Sequence, residues 1–347
     1  MIPGALDRLL AAELSAGATS ALTTAGTWQP APCDGGPAPG AYATPIAFRL
    51  AGGHPAGAVR IAMRLAEALR PAGWVRSASG TGGYVTVTVT PDALARVAVR
   101  ITAAGPACAR STALVGTAVP APPEPDLAAS AGWEDARRQL AAFLTGRLAG
   151  AAGARTFSSF SAERQAVPGR HPGRAPGPVA DALEFAGAGA VRYALARLPP
   201  EAPPEVDPCR AAAHHLGVPA YAVLYAHAHA VSTLRQAADL GLSPGDAAGF
   251  QPRLLAHPVE QALLDELSWL AERVAGAARR ARPDVFSRYL ERVAGAYFDC
   301  QERRPAVWPG MTAGGPGIAA RLWLAAATAT ALRTGLGLLG VDAPDRL

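Results

Sequence analysis

A chain of 347 residues, half of them hydrophobic, is long enough for about two domains and a sizeable buried core. All 32 basic residues are Arg, and neither Lys nor Asn occurs, so any chemistry that needs a Lys, such as a Schiff base or a phosphate-loop Lys, is excluded. The net charge of +5 is uneven: residues 1–180 hold 16 Arg against 10 Asp and Glu, whereas residues 181–347 hold 16 against 17. So mild a basic excess fits either a nucleic-acid partner or a plain solvated surface.

In chain order, Ile2, Leu6, Leu9, Leu10 and Leu14 place one apolar face on a short opening helix, followed by a Gly-, Pro- and Thr-rich stretch to about Gly40. A helix is predicted from about Pro55 to Leu69, with Ala58, Ile61, Ala62, Leu65 and Leu69 as its stripe. Residues 84–90, Tyr-Val-Thr-Val-Thr-Val-Thr, alternate with period two and predict a strand with Val85, Val87 and Val89 inward. Thr90 before Pro91 is a helix start, with Leu94, Val97 and Ile101 on the buried face. Residues 1–104 therefore read as a small α+β domain.

Residues 105–178 are rich in Ala, Gly and Pro, with one helix marked by Trp133, Leu140, Phe143, Leu144 and Leu148, and a linker from Ala151 to Pro178. Residues 179–347 read as an all-α helical bundle. Helices are predicted at about 219–238, 259–281, 284–303 and 318–339. The stripe of 219–238 is Tyr221, Leu224, Ala228 and Val231, and the last helix carries Ile318, Leu322, Ala325, Ala329, Leu332, Leu336 and Leu339. Its uncharged run is too short for a bilayer, so no membrane is expected. Four well-separated Cys and no apolar signal core at the N-terminus point to reduced thiols in a cytoplasmic protein.

The last 27 residues, from Arg321-Leu322-Trp323-Leu324 through Gly335-Leu336-Gly337-Leu338-Leu339-Gly340 to Ala343-Pro344-Asp345-Arg346-Leu347, resemble the end of the DALR anticodon-binding domain of arginyl-tRNA synthetases. Asp181 to Arg197, with Ala-Gly-Ala-Val-Arg-Tyr inside, resembles the helix that leads into that domain, and the run Tyr225-Ala226-His227-Ala228-His229 resembles the family's Gln-Tyr-Ala-His-Ala-Arg signature, with Leu224 for Gln and His229 for Arg. The front block resembles the family's N-terminal additional domain: Gly40-Ala41-Tyr42-Ala43-Thr44-Pro45, Ala47-Phe48-Arg49-Leu50-Ala51, Gly83-Tyr84 and Pro91-Asp92-Ala93-Leu94. There the family's Asp is Ala41 and its Asn is Pro45, which removes a group able to read a base edge from both ends.

The resemblance implies tRNA contact by Tyr42 and Phe48, which can stack a base, and by Tyr225, His227, His229 and Arg235 on the signature helix. Core aromatics and a purely structural helix are the competing readings. His229 in place of Arg exchanges a permanent phosphate partner for an imidazole that is mostly neutral at pH 7. Arg279 and Arg280, with Arg282, are the densest basic cluster. They suit phosphate contact or the complementing of a helix end. His214 and His215 read as a surface pair. His227 and His229, two apart on a helix, cannot chelate one metal, so no metal is expected, and no cofactor. His171-Pro172-Gly173-Arg174 lacks the second His of a class I synthetase box and any strand before it.

Fewer than 80 residues stand where the family holds its class I catalytic domain, and a chain without Lys cannot carry a Lys-Met-Ser-Lys-Ser loop. The sequence thus predicts a non-catalytic paralogue that binds tRNA, with an arginine tRNA the first candidate. The alternative is a protein-interaction module whose partner is a synthetase or a biosynthetic enzyme. A residual arginine-tRNA ligase is the third reading.

Overall fold

The computed structural model describes residues 2–13, 28–31, 38–158, 177–307 and 315–347. Helix α1 (Ile2–Glu13) buries Ile2, Leu6 and Leu10. Strands β1 (Gln29–Pro30), β2 (Ala41–Thr44), β3 (Val75–Thr81) and β4 (Tyr84–Val89) form an antiparallel sheet in the order β1-β2-β4-β3. Val85, Val87 and Val89 face the core, as the alternation requires. Gly82 and Gly83, with φ of 58° and 85°, make the β3–β4 turn in a conformation that side chains beyond Gly resist.

Helix α2 (Ile46–Leu50) leads into α3 (Pro55–Leu69), which lies so close to β3 that a Cβ on Gly80 would strike the backbone of Ala62 and Met63. Helix α4 (Pro91–Ala104) starts where its cap predicts: Ala93 N–H donates to the Thr90 hydroxyl at 3.2 Å, with Pro91 in the first turn. Pro recurs in the first turn of most later helices too, where its missing N–H costs nothing.

After a 3-10 turn at Gly105–Ala109 come β5 (Ala118–Pro120), α5 (Trp133–Ala151) and β6 (Arg155–Phe157). The two strands pair in parallel, so this stretch is one small βαβ unit rather than a helix in an unstructured run. Residues 159–176, which include most of the predicted linker and His171 to Arg174, lie outside the described residues.

The back of the chain is helical. The helix expected over 181–197 is two, α6 (Pro178–Ala186) and α7 (Ala188–Arg197), because Gly187 sits at φ 83° between them. After α8 (Pro208–Ala212) and α9 (Pro219–Asp239), the helix expected over 259–281 is likewise two, α10 (Pro258–Ser268) and α11 (Leu270–Arg279), meeting at Trp269. Helices α12 (Pro283–Arg303) and α13 (Pro316–Leu338) complete the bundle. Buried Glu260 caps α10 through the His257 N–H, with Arg304 and Arg321 3.6 and 3.5 Å from its other oxygen.

The α+β block is not set apart from the bundle. Helix α4 packs on α10 and α13, α5 packs on α11, and one hydrophobic core runs continuously from Ile2 to Val341. Tyr42 on β2 sits at this junction, its ring 5.1 Å from that of Trp269 and its hydroxyl 2.9 Å from Ser268 Oγ and 3.3 Å from Asp265 Oδ1. Gly40 N–H donates to the same Asp265 oxygen at 3.0 Å.

Candidate nucleic-acid interface

Helix α9 turns a different side to the core than its expected stripe. Ala220, Val223, Ala226, His227, Ala230, Thr233 and Ala237 are buried, as is Ala228 of the stripe, while Tyr221, Leu224 and Val231 are only half-buried. That rotation puts Tyr221, Tyr225 and His229, each four residues apart, in a row along the outer flank. The exposed His214 ring stacks on Tyr221 at 5.4 Å, Tyr221 on Tyr225 at 5.8 Å, and Tyr225 lies 5.9 Å from Phe298 of α12. His229 ends the row, with Nδ1 2.9 Å from the Tyr297 hydroxyl. Burial pushes the His229 pKa down, so at pH 7 the ring is a neutral aromatic. The row offers partly open π faces with no fixed charge, which suits the stacking of unpaired bases.

His227 is fully buried and has no face for RNA. Its Nδ1 is 3.1 Å from Pro344 O, and Arg333 Nε donates to its Nε2 at 3.4 Å, a pair of contacts that one neutral tautomer satisfies. Burial and the Arg333 charge lower its pKa. The residue instead seats the C-terminal tail on α9, where Arg235 adds a hydrogen bond to Asp345 O at 3.4 Å and Arg333 pairs with the Asp345 carboxylate. Tyr42 is also fully buried, so the junction it bolts together leaves no room for a base. Phe48 is half-buried, resting on Gly83 and edge-on to the exposed Tyr84 at 5.6 Å.

Arg279 and Arg280 are exposed at the end of α11; partial burial lowers the Arg279 pKa most, Glu272 opposes it, and the positive charges of Arg280 and of Arg49 from α2 add to it. Arg282 is engaged by Asp284 at 2.8 Å and Glu201 at 3.1 Å. Position 283 and Tyr297 are separated by 14 residues of α12, or about 20 Å of helix, so the arginines and the aromatic row form two patches. The sequence reading missed His214, Tyr221 and Phe298 as members of the row, taking Tyr221 for part of an apolar stripe. The i, i+4 spacing of Tyr221, Tyr225 and His229 was a signal for Tyr221, whereas Phe298 comes from another helix. Among the described residues, no three His, Cys, Asp or Glu side chains gather as a metal site, and no helix is long and apolar enough to cross a membrane.

Residues 223–347, which carry Tyr225, His229 and Phe298 of the row and the tail but not His214 or Tyr221, match the DALR anticodon binding domain. An arginine–tRNA ligase from Paenarthrobacter aurescens is 38% identical over 175 residues, 48% of this chain and 30% of the ligase. One from Micrococcus luteus is 38% identical over 172 residues, with the same coverage. Among solved structures, Thermus thermophilus arginyl-tRNA synthetase superposes with a TM-score of 0.68 at 14% identity, over 100% of both chains, a likeness of fold. The C-terminal part of the molecule is thus an anticodon-binding domain of the DALR type. Over about half of its length the chain is similar to arginine–tRNA ligases, and that matched region spans 30% of the length of those curated relatives.

Proposed function

We propose that this protein binds tRNA without charging it. The observation that carries the reading is the aromatic row His214, Tyr221, Tyr225 and Phe298, lying beside and within a DALR anticodon binding domain. Four partly open rings in succession give unpaired loop bases a surface to stack on, at about 1–3 kcal/mol per base. Arg49, Arg279 and Arg280 supply a second, cationic contact for the phosphate backbone. An arginine tRNA is the first candidate, since the relatives are named for it.

The non-catalytic half of the reading rests on the βαβ unit. Nucleotides sit where parallel strands end and a helix begins, with phosphates against the open N–H groups of the first turn. Here that turn of α5 holds Glu134 and Asp135, and Asp135 already accepts from Ala131 N–H at 3.1 Å. Glu134 pairs with Arg137 at 2.9 Å and Asp135 with Arg138 at 2.6 Å, so the cations nearest that turn are already engaged by carboxylates. Each strand is three residues long, so β5 and β6 offer little platform.

The full chain is expected to retain bulk tRNA on a filter at low salt and to release it as salt rises, with a shallow slope because few phosphates are held. Tyr221→Ala with Tyr225→Ala should weaken retention about tenfold, and ATP–pyrophosphate exchange should stay at background. No retention of any tRNA at low salt sinks the reading. The near-balance of 16 Arg against 17 acidic residues in 181–347 favours, as second reading, a protein partner on the same surface, which a stoichiometric RNA-free complex would select.

A further inference from the structure

Where α5 and α13 end beside the turn that follows α4, they enclose a groove of about 820 Å³. Three guanidiniums reach it, Arg110, Arg147 and Arg333, together with the hydroxyl-bearing Ser111, Thr330 and Thr334. None of the described residues lining it is Asp or Glu. Among the described residues, no ion pair engages Arg110 or Arg147; Arg147 lies over the Phe143 ring at 5.4 Å, and Arg333 holds the exposed Asp345. The walls are fixed by backbone: Ser111 N–H donates to Ala151 O at 3.0 Å, Leu114 N–H to Ala152 O at 2.9 Å, and Gly153 turns at φ 89° where a Cβ would press on Ser111 O at 2.8 Å.

Guanidiniums and hydroxyls converging with no carboxylate in the lining, and with Asp345 engaging only Arg333, are the donor set that phosphate oxygens require: forked charged donors and short neutral ones. The C-terminal ends of α5 and α13 subtract roughly half a charge each. Asp345 offsets Arg333, and the two whole positive charges of Arg110 and Arg147 still exceed that, so the groove stays attractive to an anion. It lies at the far end of α5 from the helix N-terminus where a βαβ unit takes a nucleotide, so it is not that site.

We propose that this groove binds phosphate groups, with Arg110, Arg147 and Arg333 as their cationic partners and Ser111, Thr330 and Thr334 as hydroxyl donors. The phosphates are those of an RNA backbone or of a free phosphorylated compound. The RNA arm rests on the tRNA-binding reading above, and the free-phosphate arm stands without it.

Two probes separate the arms: inorganic pyrophosphate by calorimetry and bulk tRNA by filter retention, both on the full chain. Arg110→Gln with Arg147→Gln removes two charge-assisted contacts and should weaken at least one probe about tenfold. Gly337→Glu puts a carboxylate on the groove floor at an open helical position, with nothing within 4 Å of the added Cβ, and should produce the same loss without removing any contact. Arg60→Gln with Arg64→Gln, exposed on α3, takes away equal charge elsewhere and should change neither. Loss for pyrophosphate alone names a free phosphorylated compound, and loss for tRNA names the backbone. Unchanged affinity for both probes in the groove variants, or an equal fall in the α3 control, overturns the proposal. Loss of tRNA binding in the Tyr221 and Tyr225 variant with pyrophosphate binding intact keeps the two sites distinct.

Discussion

Asp7 and Asp265 lie where α1 and β2 meet α10 and α11, and each carboxyl has its pKa raised from 3.8 to about 6, burial being the largest cause. Glu272 adds repulsion at Asp7 and Glu266 at Asp265, while hydrogen bonds from Trp28 to the first and from Gly40 N–H to the second act the other way. Between these two pKa values the folded chain binds more protons than the unfolded one, so these groups make stability fall as pH rises through that window. Above about pH 6 the penalty is complete. Asp7→Asn with Asp265→Asn, which keeps both acceptor oxygens, should raise the melting temperature at pH 7.5 and flatten its dependence between pH 4 and 6; thermal scans at several pH values check this. At this scale some of the molecule was legible in the sequence. Thr90 before Pro91 announced its cap because that signal is local. The burial of Tyr42 and His227 was not legible, because each is enclosed by partners 100 or more positions away, Asp265 and Ser268 for one, Arg333 and Pro344 for the other.

Elements with a strong period were read well, and those whose pattern is set by a neighbour were not. Strand β4 alternates Val with Thr, but β3 reads Val-Arg-Ser-Ala-Ser-Gly-Thr, with only Val75 and Ala78 buried and a register shift between Val75 and Ser77. Gly80 in that strand looks like a weak point, yet it is where α3 touches the sheet. Gly80→Ala should destabilise by about 3 kcal/mol because the added methyl meets backbone that cannot rotate away, and a urea titration measures it. In α9 the Ala residues at 220, 222, 226, 228 and 230 make every side mildly apolar, so the stripe chosen from larger side chains was only partly right: Ala228 is buried and Leu224 and Val231 pack against the core, but Tyr221 lies on the flank. The inward side is the one that fits closely against α13, its most extensive neighbour.

For the whole molecule, the sequence divided the chain by composition, into a front block, an Ala/Gly/Pro-rich stretch and a bundle, whereas the core ignores those divisions. Leu94, Val97 and Ile101 of α4 share a continuous apolar interior with Leu263 and Leu264 of α10 and Leu332 and Leu336 of α13. Separating the front block would expose all of that surface at once, so calorimetry of the full chain should show a single transition with equal calorimetric and van't Hoff enthalpies. Two resolved transitions would contradict the shared interior. The C-terminal tail has a consequence of a different kind. Arg333 holds Asp345 with one end of its guanidinium and His227 with the other, so the Asp345 carboxylate already occupies a cation at the rim of the groove. An incoming anion there must evict a resident one, and eviction leaves the last residues held on α9, the helix that displays the rings, by the His227 and Arg235 hydrogen bonds without the ion pair. Occupancy on one side of the molecule would thereby be read out on the other as a loosened tail, and by reciprocity whatever clamps the tail makes the groove harder to fill.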